Sequence, residues 1–124
     1  VDKLTHLCRI GADFEAWQSP MPDNLITRVR VERLTEGLTA YKSGSGFFIE
    51  YTAREIDEIR PLCTISCPTL SYYGVNRDVL LQSVLTMHPA GVDRIVPMGH
   101  TMDFALVWDG VDLIRAMSRA ISIR

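Results

Sequence analysis

Residues Gly91 to Arg119, GVDRIVPMGHTMDFALVWDGVDLIRAMSR, decide the fold class. A short apolar strand, Asp93 to Pro97, runs into a Gly99 turn and a loop carrying Trp108-Asp109-Gly110. Leu113, Ile114, Met117 and Ile121 then recur at the spacing of a helix with one buried stripe. Asp109, with Asp112 three residues on, is placed to cap that helix and to favour its positive end. Strand, loop and helix in this order make the closing unit of a larger α/β sheet.

Working outward, the same rhythm recurs upstream. Thr69 to Tyr73 reads as a strand that Gly74 ends, and Asp78 to Met87 as a helix with Leu81, Val84, Leu85 and His88 along one side. Pro89-Ala90-Gly91 stops that helix. Earlier still, Leu25 to Arg33 alternates, with Leu25, Thr27, Val29 and Val31 on one face and Ile26, Arg28 and Arg30 on the other. A period of two predicts a strand with one buried face. A short helical piece over Leu34 to Tyr41, a turn at Ser43-Gly44-Ser45-Gly46 and a strand from Phe47 to Tyr51 follow. Thr52-Ala53-Arg54-Glu55 fits a capping box, opening a helix with Ile56 and Ile59 on one face that ends near Pro61. Asp2 to Gln18, with Leu4, Leu7, Cys8 and Phe14 at partly helical spacing, predicts a helix interrupted by Gly11, and the prolines at 20 and 22 predict a loop. Arg94-Ile95-Val96 reads as a central strand buried on both faces. The expected class is α/β, a mostly parallel sheet with crossover helices, in one unit spanning residues 1–124.

Composition narrows the function classes. With 124 residues, 47% hydrophobic and 23% charged, the chain has the balance of one globular domain with a modest core. A net charge of −2, with the basic residues scattered, gives no electrostatic case for nucleic acid or an anionic membrane. No apolar run reaches the roughly 18 residues of a membrane span. Three cysteines and no export signal point to reduced thiols in the cytoplasm.

Few residues offer chemistry. Cys63 and Cys67, with His88 or His100, have a loosely zinc-like spacing but no second diagnostic pair, so two small buried thiols are expected and no metal ligand is assigned. A nucleophilic cysteine needs a cation or helix N-terminus beside it. Cys8 has His6 and Arg9 nearby, yet its spacing turns it with Leu4 and Leu7 toward a core. Ser43-Gly44-Ser45-Gly46 lacks the Lys-Ser/Thr ending of a phosphate loop, so a hairpin-like turn or a crossover is expected. Trp108 reads as a buried anchor for the last helix, and His100, at the carboxyl end of a strand, is the best-placed polar residue of the tail.

Three stretches resemble the bioluminescence-type fatty acyl-CoA reductases, the LuxC family: Thr27-Arg28-Val29-Arg30-Val31, Thr69-Leu70-Ser71-Tyr72-Tyr73-Gly74-Val75, and the DRIVP…WDG-DLI tail. The last is the specific one, and the match runs from about Ser19 onward. The resemblance implies the aldehyde dehydrogenase fold and the C-terminal part of its catalytic lobe. It implies NADPH-dependent reduction of a long-chain acyl-CoA or acyl-protein thioester to a fatty aldehyde through a cysteine thioester. It further implies a cytoplasmic, homo-oligomeric enzyme which, in luminous bacteria, works with acyl-protein synthetase and acyl-transferase subunits. The family's nucleophilic cysteine, flanked by serine and proline, lies upstream of everything matched, and no such run occurs here. No catalytic residue is therefore expected in this chain, which is read as a fragment of a larger reductase, inactive alone. Nor is there a G-x-G-x-x-G dinucleotide fingerprint. Looser similarity to aldehyde dehydrogenases places Leu34-Thr35-Glu36-Gly37 near the glutamate that holds the nicotinamide ribose, which makes Glu36 the one cofactor-binding residue expected. The contrasting reading is a small, non-catalytic α/β module that binds a ligand or a partner.

Overall fold

The computed structural model describes residues 2–20, 25–41, 44 and 46–124. Two compact units divide the chain, Val1–Leu62 and Cys63–Arg124, both mixed α/β. In place of one mostly parallel sheet, the described residues carry three small ones.

The first unit opens with helix α1 (Asp2–Asp13). The helix expected to reach Gln18 stops there, because Ala16–Gln18 forms strand β1, antiparallel to β2 (Thr27–Val31). Pairing with β2 satisfies the β1 backbone, so tertiary hydrogen bonding overrides a weak helical pattern. Within α1 the inward residue is Ile10, fully buried, whereas Leu4 and Cys8 are exposed, contrary to the expected stripe. Strand β2 alternates as its sequence predicts: Thr27, Val29 and Val31 are buried, Arg28 and Arg30 exposed. Strand β3 (Phe47–Glu50) runs parallel to β2, so the connection between them is a crossover and not a hairpin turn. A 3-10 helix, Glu36–Tyr41, lies in that connection. The expected Ser43-to-Gly46 turn falls largely outside the described residues, but Gly46 has a φ of 77° and its missing Cβ would stand 2.6 Å from the Leu25 carbonyl oxygen. Only glycine fits there without strain. The core joins Ile10, Val29, Val31, Leu38, Tyr41 and Phe47. Each such side chain contributes on the order of 1.5–3 kcal/mol by leaving water.

A second 3-10 helix, Ile56–Leu62, closes this unit. Its start is not the expected Thr52/Glu55 capping box. Instead the Glu58 carboxylate reaches back to accept from the backbone N–H groups of Arg54 at 2.7 Å and Glu55 at 3.0 Å.

In the second unit β4 (Thr69–Tyr72) and β5 (Arg94–Pro97) pair in parallel, with helix α2 (Arg77–Met87) between them in sequence. Asn76 caps α2, its side chain accepting from the N–H groups of Asp78 at 2.9 Å and Val79 at 3.2 Å. The buried stripe is Leu80, Val84 and Met87, rotated from the expected one, and Leu85 is exposed. His88 ends the helix in the left-handed region. Strand β5 is not central: its sheet has two strands and Arg94, Ile95 and Val96 are half-buried. Strands β6 (Val107–Trp108) and β7 (Val111–Asp112) form a hairpin. Its turn, Asp109-Gly110, has φ values of 46° and 79°, the conformation for which Asp-Gly is suited. Asp109 is thus a turn residue, and the cap of helix α3 (Leu113–Met117) is Asp112, whose carboxylate accepts from Arg115 N–H at 3.0 Å. The stripe expected to be buried is open: Ile114, Met117 and Ile121 are exposed, along with Met98, Met102 and Phe104.

Candidate functional site

A groove of about 560 Å³ opens in the first unit where the parallel pair β2–β3 ends. Open α/β sheets present backbone and side-chain groups for ligands just beyond the carboxyl ends of such strands. Arg30, Val31 and Glu32 come from the end of β2, Tyr51 and Thr52 from the end of β3, Arg54 and Glu58 from the turn and helix that follow, and Trp17 from β1. Trp17 lies directly opposite Arg30 across the antiparallel pair, on the solvent-facing side of the sheet.

Charge is unevenly satisfied around this groove. The Tyr51 hydroxyl donates to Glu58, whose carboxylate also holds the two backbone N–H groups at the helix start. The tyrosine hydrogen bond, with those two N–H groups, holds Glu58 below the usual carboxylate range. The same hydrogen bond, reinforced by burial and by the Glu58 charge, pushes the Tyr51 phenol up. Glu58 is therefore an ionised structural clamp. In β-register the partner of Arg30 is Glu50, but that carboxylate is taken by Arg28 at 2.6 Å. Among the described residues Arg30 has no carboxylate within ion-pairing distance, whereas the Arg54 charge, without closing to that distance, adds to what keeps Glu58 ionised.

Glu36, the expected cofactor residue, stands at the start of its 3-10 helix, exposed and outside the groove lining. Its backbone carbonyl accepts from the Thr39 hydroxyl at 2.8 Å. Alone it makes no cradle for a dinucleotide. Burial pushes the Cys63 thiol up, with the Cys67 sulfur adding to the shift, which is the wrong direction for a nucleophile. Cys8 is exposed, so it is not the core residue its spacing implied. Among the described residues no group of three or more His, Cys, Asp or Glu is gathered to hold a metal ion. His100 Nδ1 pairs with the Asp103 carboxylate at 2.7 Å on an exposed turn, with no nucleophile beside them among the bonds they make.

In the tail, Arg94, Trp108 and Asp109 meet in space. Arg94 lays its guanidinium over the Trp108 ring, 4.0 Å from the centroid, and donates to the carbonyls of Thr101 and Asp103, both at 3.2 Å. Asp109 stands 3.9 Å from Arg94, near enough for charge attraction but without a hydrogen bond to its buried Oδ1. Phe104 also stacks on Trp108, centroids 5.7 Å apart and planes at 24°. Trp108 is half-buried in this cluster, and Gly110 packs so close to Asp93 that a Cβ would meet its carboxylate at 2.8 Å. The arrangement ties the tail to β5.

No protein-family model, curated protein or solved structure matches this chain.

Proposed function

We propose that the chain is the C-terminal part of an acyl-CoA reductase of aldehyde dehydrogenase fold, with the nucleophilic cysteine and most of the NADPH contacts contributed by residues outside it. In that chemistry a thiolate attacks the acyl thioester carbonyl, the coenzyme A thiolate leaves, and hydride from NADPH reduces the enzyme-bound acyl group to the aldehyde. The main support for this reading is that Asp93, Arg94, Trp108, Asp109 and Gly110, quoted for the resemblance, pack as a single cluster. Scattered chance matches would not be expected to converge. The exposed apolar side chains from Met98 to Ile123 support it too, since a surface of that kind is usually covered by more protein.

The test is intact mass and turnover on the native polypeptide. The reading expects a mass well above 14.0 kDa and NADPH oxidation dependent on a long-chain acyl-CoA. A native 14.0 kDa protein that neither binds NADPH nor forms an acyl-enzyme would end it. The groove at the ends of β2 and β3 favours the second reading, a non-catalytic binding module, in which case the same sample would be inert to thioester but would take a ligand there.

A further inference from the structure

We infer that residues Leu113 to Ile123 extend into a continuous amphipathic helix that lies on the surface of an anionic lipid bilayer, with its arginines toward the headgroups. This stands apart from the reductase reading and needs no residue outside the chain.

The inference starts from a mismatch between a sequence pattern and the helix that forms. At about 100° per residue, Leu113, Ile114, Met117, Ala120, Ile121 and Ile123 fall on one half of a helix, and Arg115, Ser118, Arg119 and Ser122 on the other. Yet α3 ends at Met117, and Ser118 is already extended. No glycine or proline lies between Val111 and Arg124 to stop it, and Arg119 and Ala120 are strong helix formers. The costly first turn already exists, since the Asp112 carboxylate accepts from Arg115 N–H at 3.0 Å, so extension needs only propagation. What the helix lacks is a surface to lie on: Met117 is 86% exposed and Ile121 91%. A short helix whose apolar face meets only water is marginal, and an apolar contact is what would carry it past Met117.

Charge and shape choose the surface. The whole-chain charge of −2, which gave no case for an anionic membrane, conceals a segregation: residues 113–124 hold Arg115, Arg119 and Arg124 and no acidic residue. Counting Asp112 at the helix start, positive charge still exceeds negative by two. None of the three arginines has a carboxylate within ion-pairing distance among the described residues. In the extended helix Arg119 would stand about 10 Å along the axis from Asp112, near one screening length, and Arg124 about 18 Å. A protein groove grips a line of anchors, whereas an apolar face covering half the circumference suits a flat apolar boundary beneath charged headgroups. At about 17 Å the helix is too short to cross a bilayer, so it lies in the surface.

The experiment floats the full chain with lipid vesicles through a density gradient, which separates bound protein from aggregate. Vesicles of equal parts phosphatidylglycerol and phosphatidylcholine should carry it, phosphatidylcholine alone should not, and about 1 M salt should release it. R115Q/R119Q should lower partitioning about 25-fold, roughly fivefold for each arginine near an anionic surface. I121S should lower it about tenfold through lost apolar contact. A120P is the discriminating variant: Ala120 lies exposed beyond α3, so the free fold is untouched, but proline there blocks the extension and should abolish flotation. Circular dichroism should show helix content rising with phosphatidylglycerol vesicles in the parent and not in A120P. Absent flotation, equal flotation on neutral vesicles, or A120P floating like the parent overturns the inference. Self-association without vesicles that A120P abolishes would assign the helix to a protein surface and overturn the lipid occupant.

Discussion

Replacing Arg94 should loosen the whole second unit more than any other single surface-accessible change. Its side chain is 11% exposed and serves four partners at once. The guanidinium over Trp108 contributes about 1–2 kcal/mol, toward the upper end because the site is largely desolvated. Two hydrogen bonds to carbonyls add roughly 1 kcal/mol each, at the low end for a charged donor because both are 3.2 Å long and both carbonyls belong to exposed residues that water can reach. Losing Arg94 also strips Asp109 of its nearest cation while one carboxylate oxygen stays buried. Arg94→Ala should therefore cost about 3–4 kcal/mol. Arg94→Lys, which keeps the charge but not the fork, should cost about half of that. Hydrogen exchange is the suitable assay, because the amides of β5 and of the β6–β7 hairpin report on this unit by itself. In a double-mutant cycle with Trp108→Leu, the coupling should be about 1 kcal/mol or more. A loss under about 1 kcal/mol in Arg94→Ala, or a coupling near zero, would refute the idea that this arginine ties the tail to the strand.

The remaining predictions concern the local devices. Glu58→Gln should flatten the acid dependence of the first unit: a carboxylate held below its ordinary value adds stability that is present above the unfolded-state value and lost as pH falls through the folded one, so the variant should lose the acid-induced drop in amide protection around Arg54 and Glu55 that the parent shows. Gly91→Ala should fail to fold its unit correctly, since a Cβ there would lie 1.9 Å from the Thr64 carbonyl oxygen; dispersed β4 and β5 NMR signals in that variant would contradict the geometry. Asn76→Ala should destabilise α2 by about 1 kcal/mol, read as lost protection at its first turn, whereas Asn76→Asp should be nearly silent.

How much of this was legible in the residues depends on the range of the interaction. The alternation of β2 announced itself because period two is a local property, and Val29 and Val31 went inward while Arg28 and Arg30 stayed out. The parallel strands β4 and β5, with α2 between them, were equally readable from their runs and breakers. Three misreadings share one cause. Leu80 and Leu81 are adjacent, and only the surface that α2 rests on decides which of them turns inward. Asp109-Gly110 carried a strong hairpin signal, but the strands it joins are two residues each, too short to show a period, so Asp109 looked like a cap. The stretch 16–18 became a strand only because β2 lay there to pair with it.

The groove was hidden for the same reason, and its chemistry shows why. Reading Asp2 to Gln18 as one helix put Trp17 on the wrong element, so its position opposite Arg30 had no meaning. Arg30 itself looked like an ordinary solvated strand arginine. What distinguishes it is not its own spacing but a competition, with Arg28 holding the carboxylate that register assigns to Arg30. Such a competition involves two strands and three side chains, and no pattern along a single strand encodes it. The tail cluster is the mirror case: Arg94 and Trp108 could be quoted as letters of a resemblance, but their contact exists only because the β6–β7 hairpin folds the ring back over β5. The tail cluster and the groove thus arise from separate units, and the reading of each can fail without the other. A chain whose tail proves alien to the reductases would still have to account for Arg30, whose register partner Glu50 the sheet gives to Arg28.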